Sequence, residues 1–147
     1  YAAKGGKNSK GFIYAGGQNM YMIGWYDENS NSGTQTVAQK RPNELGLYDM
    51  SGNVWEWCSD WFGPYSSEEQ NNPKGAASAE NQYFKVLRGG SWNYIAEGCR
   101  VTNRNYFSAD SKHSDYGFRV VQEVTDEKEP VAAPPKKEEK TPAKKKN

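Results

Sequence analysis

The sequence predicts a loop-rich domain with few short strands, closed by large rings rather than by long aliphatic runs. Three observations point there. Only 35% of the 147 residues are hydrophobic, yet 14% are aromatic, with five Trp and ten Tyr. Gly is frequent, at 15 residues. Turn signals built from Gly, Pro and Asn divide the chain at short intervals. Rings supply core volume in bulk, whereas a helix bundle would need more Leu and Ala. The length suits one domain, able to bury a core if most of it folds.

Residues 1–33 are rich in Gly, Asn, Ser and Tyr and read as irregular chain, with a short extended piece at Gly11 to Tyr14. Met20 to Tyr26 form an aromatic and aliphatic patch suited to packing on a core. Thr34 to Ala38 is a strand candidate, followed by the turn signal Pro42-Asn43. Rings recur at Trp55, Trp57 and Trp61, and the alternation of Trp55 with Trp57 suits a strand. Gly63-Pro64, Asn71-Asn72-Pro73 and Gly75 mark 63–81 as loop. Phe84 to Leu87 reads as a strand running into Arg88-Gly89-Gly90-Ser91, where paired glycines permit positive φ or close backbone approach. Residues 99–104 are a short polar piece. Residues 105–116 read as a polar loop carrying Tyr106, Phe107 and Tyr116, and 117–121 as a closing strand. After Val121 the composition shifts. Residues 122–147 are mostly Lys, Glu, Pro and Ala without a ring, too poor in apolar surface to offset their ordering entropy, and are expected to be disordered.

A net charge of +1 gives no field directed at nucleic acid. No stretch approaches the roughly 20 apolar residues of a membrane span. Cys58 and Cys99 fit one disulfide, two free thiols or part of a metal site. A single His, His113, argues against a His-rich zinc centre. Ser91 has no His base by motif, and the Asp and Glu residues show no spacing that suggests acid–base work. Arg88, Arg100, Arg104 and Arg119 are expected to pair with buried carboxylates.

Three blocks stand in order: GLYDMSGNVWEWCSDW at 46–61, VLRGGSW at 86–92 and GFRVV at 117–121. Together with the opening YAAKGG they resemble the sulfatase-modifying-factor family, whose namesake is formylglycine-generating enzyme. The resemblance covers residues 1–121 and reads as the family domain without its N-terminal part. It implies an α+β, loop-rich fold of the C-type-lectin type with little regular secondary structure.

The same resemblance implies a structural calcium ion at the first block, held by the carboxylates of Asp49 and Glu56 and the carbonyls of Gly52 and Val54. Calcium is a hard cation that takes about six to eight oxygens, which such a turn can offer. The alternative is that Asp49 caps a turn and Glu56 pairs with an Arg. The enzyme of the family converts a sulfatase cysteine to formylglycine with oxygen and copper, and two cysteines after the Gly-Gly-Ser block bind that copper. Matched from Ser91, those positions are Tyr94 and Cys99. A phenol does not replace a thiolate on Cu(I), so copper binding and formylglycine generation are not expected. Cys58 with Cys99 would instead form a disulfide, which would favour an exported protein, or two small core hydrophobes.

What remains is a surface. The family's groove corresponds to Asn93–Gly98 and Asn105–Tyr116, so Tyr94, Ile95, Gly98, Tyr106, Phe107, His113 and Tyr116 are candidate ligand-binding residues, for a protein or a glycan. Rings mixed with Ser, Asn and Gly suit adaptable recognition. Some lectin-type bacterial relatives are diversified by retroelements that mutate Asn codons, and these residues, with Ser108, Ser114 and Asp115, are all reachable that way. Two further classes stay open: an active oxidase of the family, and a structural component of a cell-surface assembly. Iron-dependent relatives need a His cluster that His113 alone does not supply.

Overall fold

A computed structural model describes residues 1–71, 73, 75–76 and 83–122. The segment expected to be disordered falls outside the described residues from 123 onward. Four strands form: β1 (Trp55–Trp61), where Trp55 and Trp57 alternate with polar residues, β2 (Phe84–Arg88), β3 (Asn105–Ser108) and β4 (Tyr116–Phe118). They make one mixed sheet in the order β3-β2-β1-β4. β1 and β2 are antiparallel, with Trp57 opposite Leu87 and a register shift between Trp57 and Trp61. β2 and β3 are antiparallel, with Val86 opposite Tyr106. β4 runs parallel to β1, with Trp55 beside Tyr116. Helix is scarce among the described residues: a single turn, α1 (Met20–Ile23), and 3-10 turns at Ala2–Lys4, Gly6–Asn8 and Ala96–Cys99. The architecture is thus a small α+β one. No helix of the described residues is long and apolar enough to cross a membrane.

The Met20–Tyr26 patch packs as its composition predicts: Met20, Ile23 and Tyr26 are buried, and Met20 and Tyr26 cluster with Cys99, with Tyr14 and Ala96 packed against them. Asn19 starts α1 by accepting the Tyr21 N–H on its side chain at 3.0 Å, the usual way to satisfy an orphan donor. Polar side chains do the stapling that longer strands would do elsewhere. Ser51 Oγ accepts the Ala15 N–H at 3.1 Å. Ser30 Oγ donates to the Trp92 carbonyl at 2.9 Å. Asn43 Nδ2 donates to the Ala2 carbonyl at 2.8 Å, and its Oδ1 accepts from Leu45 and Leu47 N–H at 3.0 and 3.1 Å, closing the turn after Pro42. Buried polar groups are tolerated when bonded this way.

Asn53 occupies the hub. Its N–H donates to the Trp25 carbonyl at 2.7 Å and its carbonyl accepts the Trp92 N–H at 2.8 Å. Its side-chain amide accepts the Gln35 N–H at 3.0 Å and donates to the Gln35 carbonyl at 3.1 Å. This corrects the expected strand at Thr34 to Ala38, where no strand forms. The carboxamide of Asn53 mimics a peptide group and takes both bonds of Gln35 that a neighbouring strand would take. Glycine is required beside it. Gly52 has φ +84°, and a Cβ there would run into the Trp25 carbonyl.

Residues 105–116 also depart from the expected loop, because β3 occupies their start. Two adjacent rings, Tyr106 and Phe107, give each face of the strand something to pack. The closing strand begins one residue early, at Tyr116, and ends at Phe118, leaving Val120 and Val121 exposed.

Candidate functional site

The Gly-Gly-Ser turn fixes the centre of the site. Gly90 has φ +78°, and a Cβ on it would lie 2.5 Å from Cys99 Sγ, so only glycine lets the turn sit on the thiol. Ser91 is fully buried, and its Oγ donates to Asp115 Oδ2 at 2.7 Å. The other oxygen of Asp115 pairs with His113 Nδ1, and its backbone carbonyl accepts the Trp55 N–H at 2.8 Å. Asp115 therefore clasps the entrance of β4 to the Gly-Gly-Ser turn. The order is Ser–Asp–His with the carboxylate in the middle. The imidazole does not reach the Ser91 hydroxyl as a base would need to.

Tyr94 and Cys99 sit on either side of Gly98. The Tyr94 ring lies against Gly98, where a Cβ would collide with it, and meets Trp55 edge-on at 5.3 Å between centroids. Cys99 is fully buried beneath. Burial pushes its thiol up to about 12, helped by the charges of Asp27 and Glu97 and opposed by a bond to the Ser91 backbone. Its ordinary form is therefore the neutral thiol, packed as a small hydrophobe. Both cysteines are free, so of the two alternatives the sequence left open the structure holds unbonded thiols rather than a Cys58–Cys99 bridge. Cys58 points instead toward the Glu56 carbonyl, 3.9 Å away, on the far part of β1. Its thiol is also raised, chiefly by burial. Cys99 therefore offers copper one sealed thiol beside a phenol, a donor set that does not fit Cu(I).

The seven candidate ligand residues do not form one set. Trp57 and Tyr116 pack edge-on at 5.6 Å, Phe107 lies 5.3 Å from Tyr116, and so does His113. Tyr94 connects to this group only through Trp55, which is buried and whose strand neighbour is Tyr116, so the partly exposed aromatic face, with Tyr94 at one end and Phe107 with Tyr116 at the other, is joined underneath by a buried ring. Ile95 adjoins Tyr94 and is exposed; Gly98 is buried under the Tyr94 ring. Tyr106 points the other way. It stacks on Phe62 at 4.0 Å and meets Phe84 at 5.3 Å, because successive strand residues alternate faces. Of the positions reachable from Asn codons, Gly98 and Asp115 are held by packing and bonding, whereas Tyr94, Ile95, Phe107 and His113 are open.

The residues carried over for calcium do lie in one turn. Asp49 has φ +56°; its Oδ2 accepts the Ala38 N–H at 2.8 Å, and its Oδ1 is buried without a hydrogen-bond partner. The Val54 carbonyl faces Gly89, and the Gly52 N–H donates to the Gly89 carbonyl at 2.8 Å. Both oxygens of Glu56 accept from Arg119, the shorter bond being 2.7 Å. That hydrogen-bonded partner raises Arg119 further above its ordinary value. No group of three or more His, Cys, Asp or Glu gathers among the described residues.

The other arginines correct the expectation of buried carboxylate partners. Arg88 donates to the carbonyls of Thr102 and Asn103 and to the Tyr65 hydroxyl. Arg104 donates to the Gly63 carbonyl at 2.7 Å and lies over the rings of Phe62 and Tyr65. Arg100 donates to the Glu97 carbonyl at 2.9 Å. They brace loops. A cavity of about 1060 Å³, lined by Glu56, Cys58, Tyr65, Arg88 and Arg119 among others, opens beside them. No sequence signal announced it, and none of the seven candidate ligand residues lines it.

The sulfatase-modifying factor enzyme 1-like domain model matches residues 1–124. Formylglycine-generating enzyme of Mus musculus is 38% identical over 106 residues, 69% of this chain and 28% of that one. Serine/threonine-protein kinase pkn1 of Chlamydia pneumoniae is 39% identical over 95 residues, 62% of this chain and 15% of that one. Among solved structures, Treponema denticola variable protein 1 aligns with a TM-score of 0.71 and 38% identity, over 80% of this chain and 42% of that one. The chain spans less than half the length of each.

Proposed function

The chain belongs to the sulfatase-modifying-factor family, and from that premise we propose that it is a non-catalytic, ligand-binding version of the family domain, on a C-type-lectin-type scaffold. The observation that carries this reading is Tyr94, which stands where the resemblance puts one of two copper cysteines, beside a Cys99 thiol sealed in the core. Cu(I) prefers two thiolates; one neutral buried thiol and one phenol leave it without them. The test is a competition titration of Cu(I) against a thiol-free chelator. The protein should fail to compete, and Tyr94→Cys should gain affinity. Tight binding by the unaltered protein would reject the reading.

The retained surface gives the domain its use. Tyr94, Ile95, Phe107, His113 and Tyr116 present rings and short polar groups from a scaffold whose own stability rests elsewhere, on Asn53, Ser91 and Asp115. A diversified binding protein is the reading favoured by the likeness to Treponema denticola variable protein 1. A locus lacking both a reverse transcriptase and a near-identical template repeat would remove it.

A structural calcium ion is part of the same proposal. The buried, unpartnered Asp49 Oδ1 supports it, and two carbonyls with two carboxylates fit a hard cation, with Glu56 shared with Arg119. Millimolar Ca²⁺ should raise the melting temperature, and Asp49→Ala should abolish that rise. An equal rise in both proteins would place the ion elsewhere.

A further inference from the structure

The Tyr94 end of the aromatic face carries charges that the described residues leave unanswered. Asp27 and Glu97 are exposed. Among the described residues the ion pairs are His113 with Asp115 and Arg119 with Glu56, so neither carboxylate has a basic partner there. Both are placed by the backbone. The Asp27 N–H donates to the Tyr94 carbonyl at 3.2 Å, and Glu97 precedes the Gly98 on which the Tyr94 ring rests. Both charges also act on the neighbouring Cys99 thiol, adding to the effect of its burial. Glu28 adds a third carboxylate, bonded to the Tyr26 hydroxyl at 2.7 Å. Arg100 lies nearby, but its Nε is directed to the Glu97 backbone carbonyl rather than to a carboxylate.

The Tyr94 ring beside these charges is open, and so are its apolar neighbours. Tyr94 is 42% exposed, Ile95 56% and Phe107 42%, and the series continues through Tyr116. Exposed apolar surface rimmed by polar groups is what an interaction site looks like. Resting on the binding-module reading, we propose that this face docks a basic segment of a protein ligand. A Lys or Arg side chain lies against the Tyr94 ring between Asp27 and Glu97, and apolar residues of the same segment cover Tyr116 and Phe107. A cation over a Tyr face is attracted by the ring quadrupole, and adjacent carboxylates accept charge-assisted bonds from it. A neutral glycan would use the rings but gain nothing from the carboxylates.

The experiment titrates the full chain by calorimetry with two short peptides, one containing Arg-Trp-Arg-Leu and one containing Glu-Trp-Glu-Leu. The Arg peptide should bind and the Glu peptide should not. Affinity should fall with salt, and Asp27→Asn/Glu97→Gln should weaken it on the order of tenfold with the melting temperature unchanged. Equal binding of both peptides, or no effect of the double variant, overturns the basic-segment assignment and leaves the binding face standing. Silence from both peptides overturns the assignment; whether the face binds at all is then read separately from a salt-insensitive glycan titration. Tighter Arg-peptide binding by Lys144→Gln/Lys145→Gln/Lys146→Gln would make the Lys-rich end of this chain the occupant and overturn the assignment to a separate protein.

Discussion

Asn53→Ala is expected to lower the unfolding free energy by about 3–4 kcal/mol, enough to unfold a large part of a marginal domain. The substitution removes both side-chain bonds to Gln35. It strands a donor and an acceptor that no strand can reclaim, at about 1–3 kcal/mol per buried group left unmade and near the low end here because Gln35 is half-buried. It also puts Ala at φ +66°, where Asn is tolerated and Ala costs on the order of 1 kcal/mol more. Asn53→Gly separates the two causes: it keeps the backbone relaxed and should recover the strain part only. Urea denaturation of the three proteins measures this. Equal stability of Asn53→Ala and the unaltered chain would mean that the carboxamide bridge to Gln35 carries no weight.

Alkaline pH should destabilise the domain steeply. The Cys99 thiol is pushed from its ordinary 9.0 up to about 12, so the fold holds the proton after the unfolded chain has released it. The stability this contributes is complete below pH 9 and is lost as pH rises toward 12, at up to about 1.4 kcal/mol per pH unit. Tyr26 acts in the same direction. Its hydrogen bond to Glu28, then its burial, pushes its phenol from 10.0 up to about 12. Cys99→Ala should lower stability at neutral pH through the cavity it leaves, and flatten the slope that begins above pH 9. Urea midpoints at pH 8, 9, 10 and 11 decide it. A slope unchanged by Cys99→Ala would mean that the thiol is not sealed as Gly90 and Gly98 place it.

The fold was legible where periodicity and ring content coincide. Trp55 and Trp57 announced β1, Phe84 to Leu87 announced β2, and the three ordered blocks brought the family with them. Other parts were not legible because their cause lies far along the chain. Thr34 to Ala38 has the composition of a strand, but its partner is one side chain, Asn53, and no local pattern reveals that. β3 was hidden because its two rings serve opposite faces, which gives no alternation to read. That split also divided the candidate ligand residues, sending Tyr106 to Phe62 and leaving Phe107 with Tyr116. The arginines were assigned carboxylates on a general expectation about buried charge, yet Arg88 and Arg104 satisfy themselves on carbonyls and rings. Arg119 alone of the four met that expectation, on Glu56.

In the sequence Asp115 was visible as a polar residue before the last block and as one of the positions reachable from an Asn codon. Its role as a clasp emerges once Ser91 and His113 are brought to its two oxygens. The consequence for function is a division of labour. The polar residues that hold the loops are buried and fixed, while Tyr94 and Phe107 are exposed and Tyr116 half-exposed, which is the surface the proposed binding role uses. On the proposed reading, loss of one thiolate and retention of an open face are two sides of one arrangement.

The most direct test of that account is the mass of a Cys-containing sulfatase peptide after incubation with the purified protein, Cu(I) and oxygen, run beside an active formylglycine-generating enzyme. The account predicts that the active enzyme converts the peptide and that this protein leaves its cysteine unchanged. Appearance of the formylglycine product with this protein would contradict it.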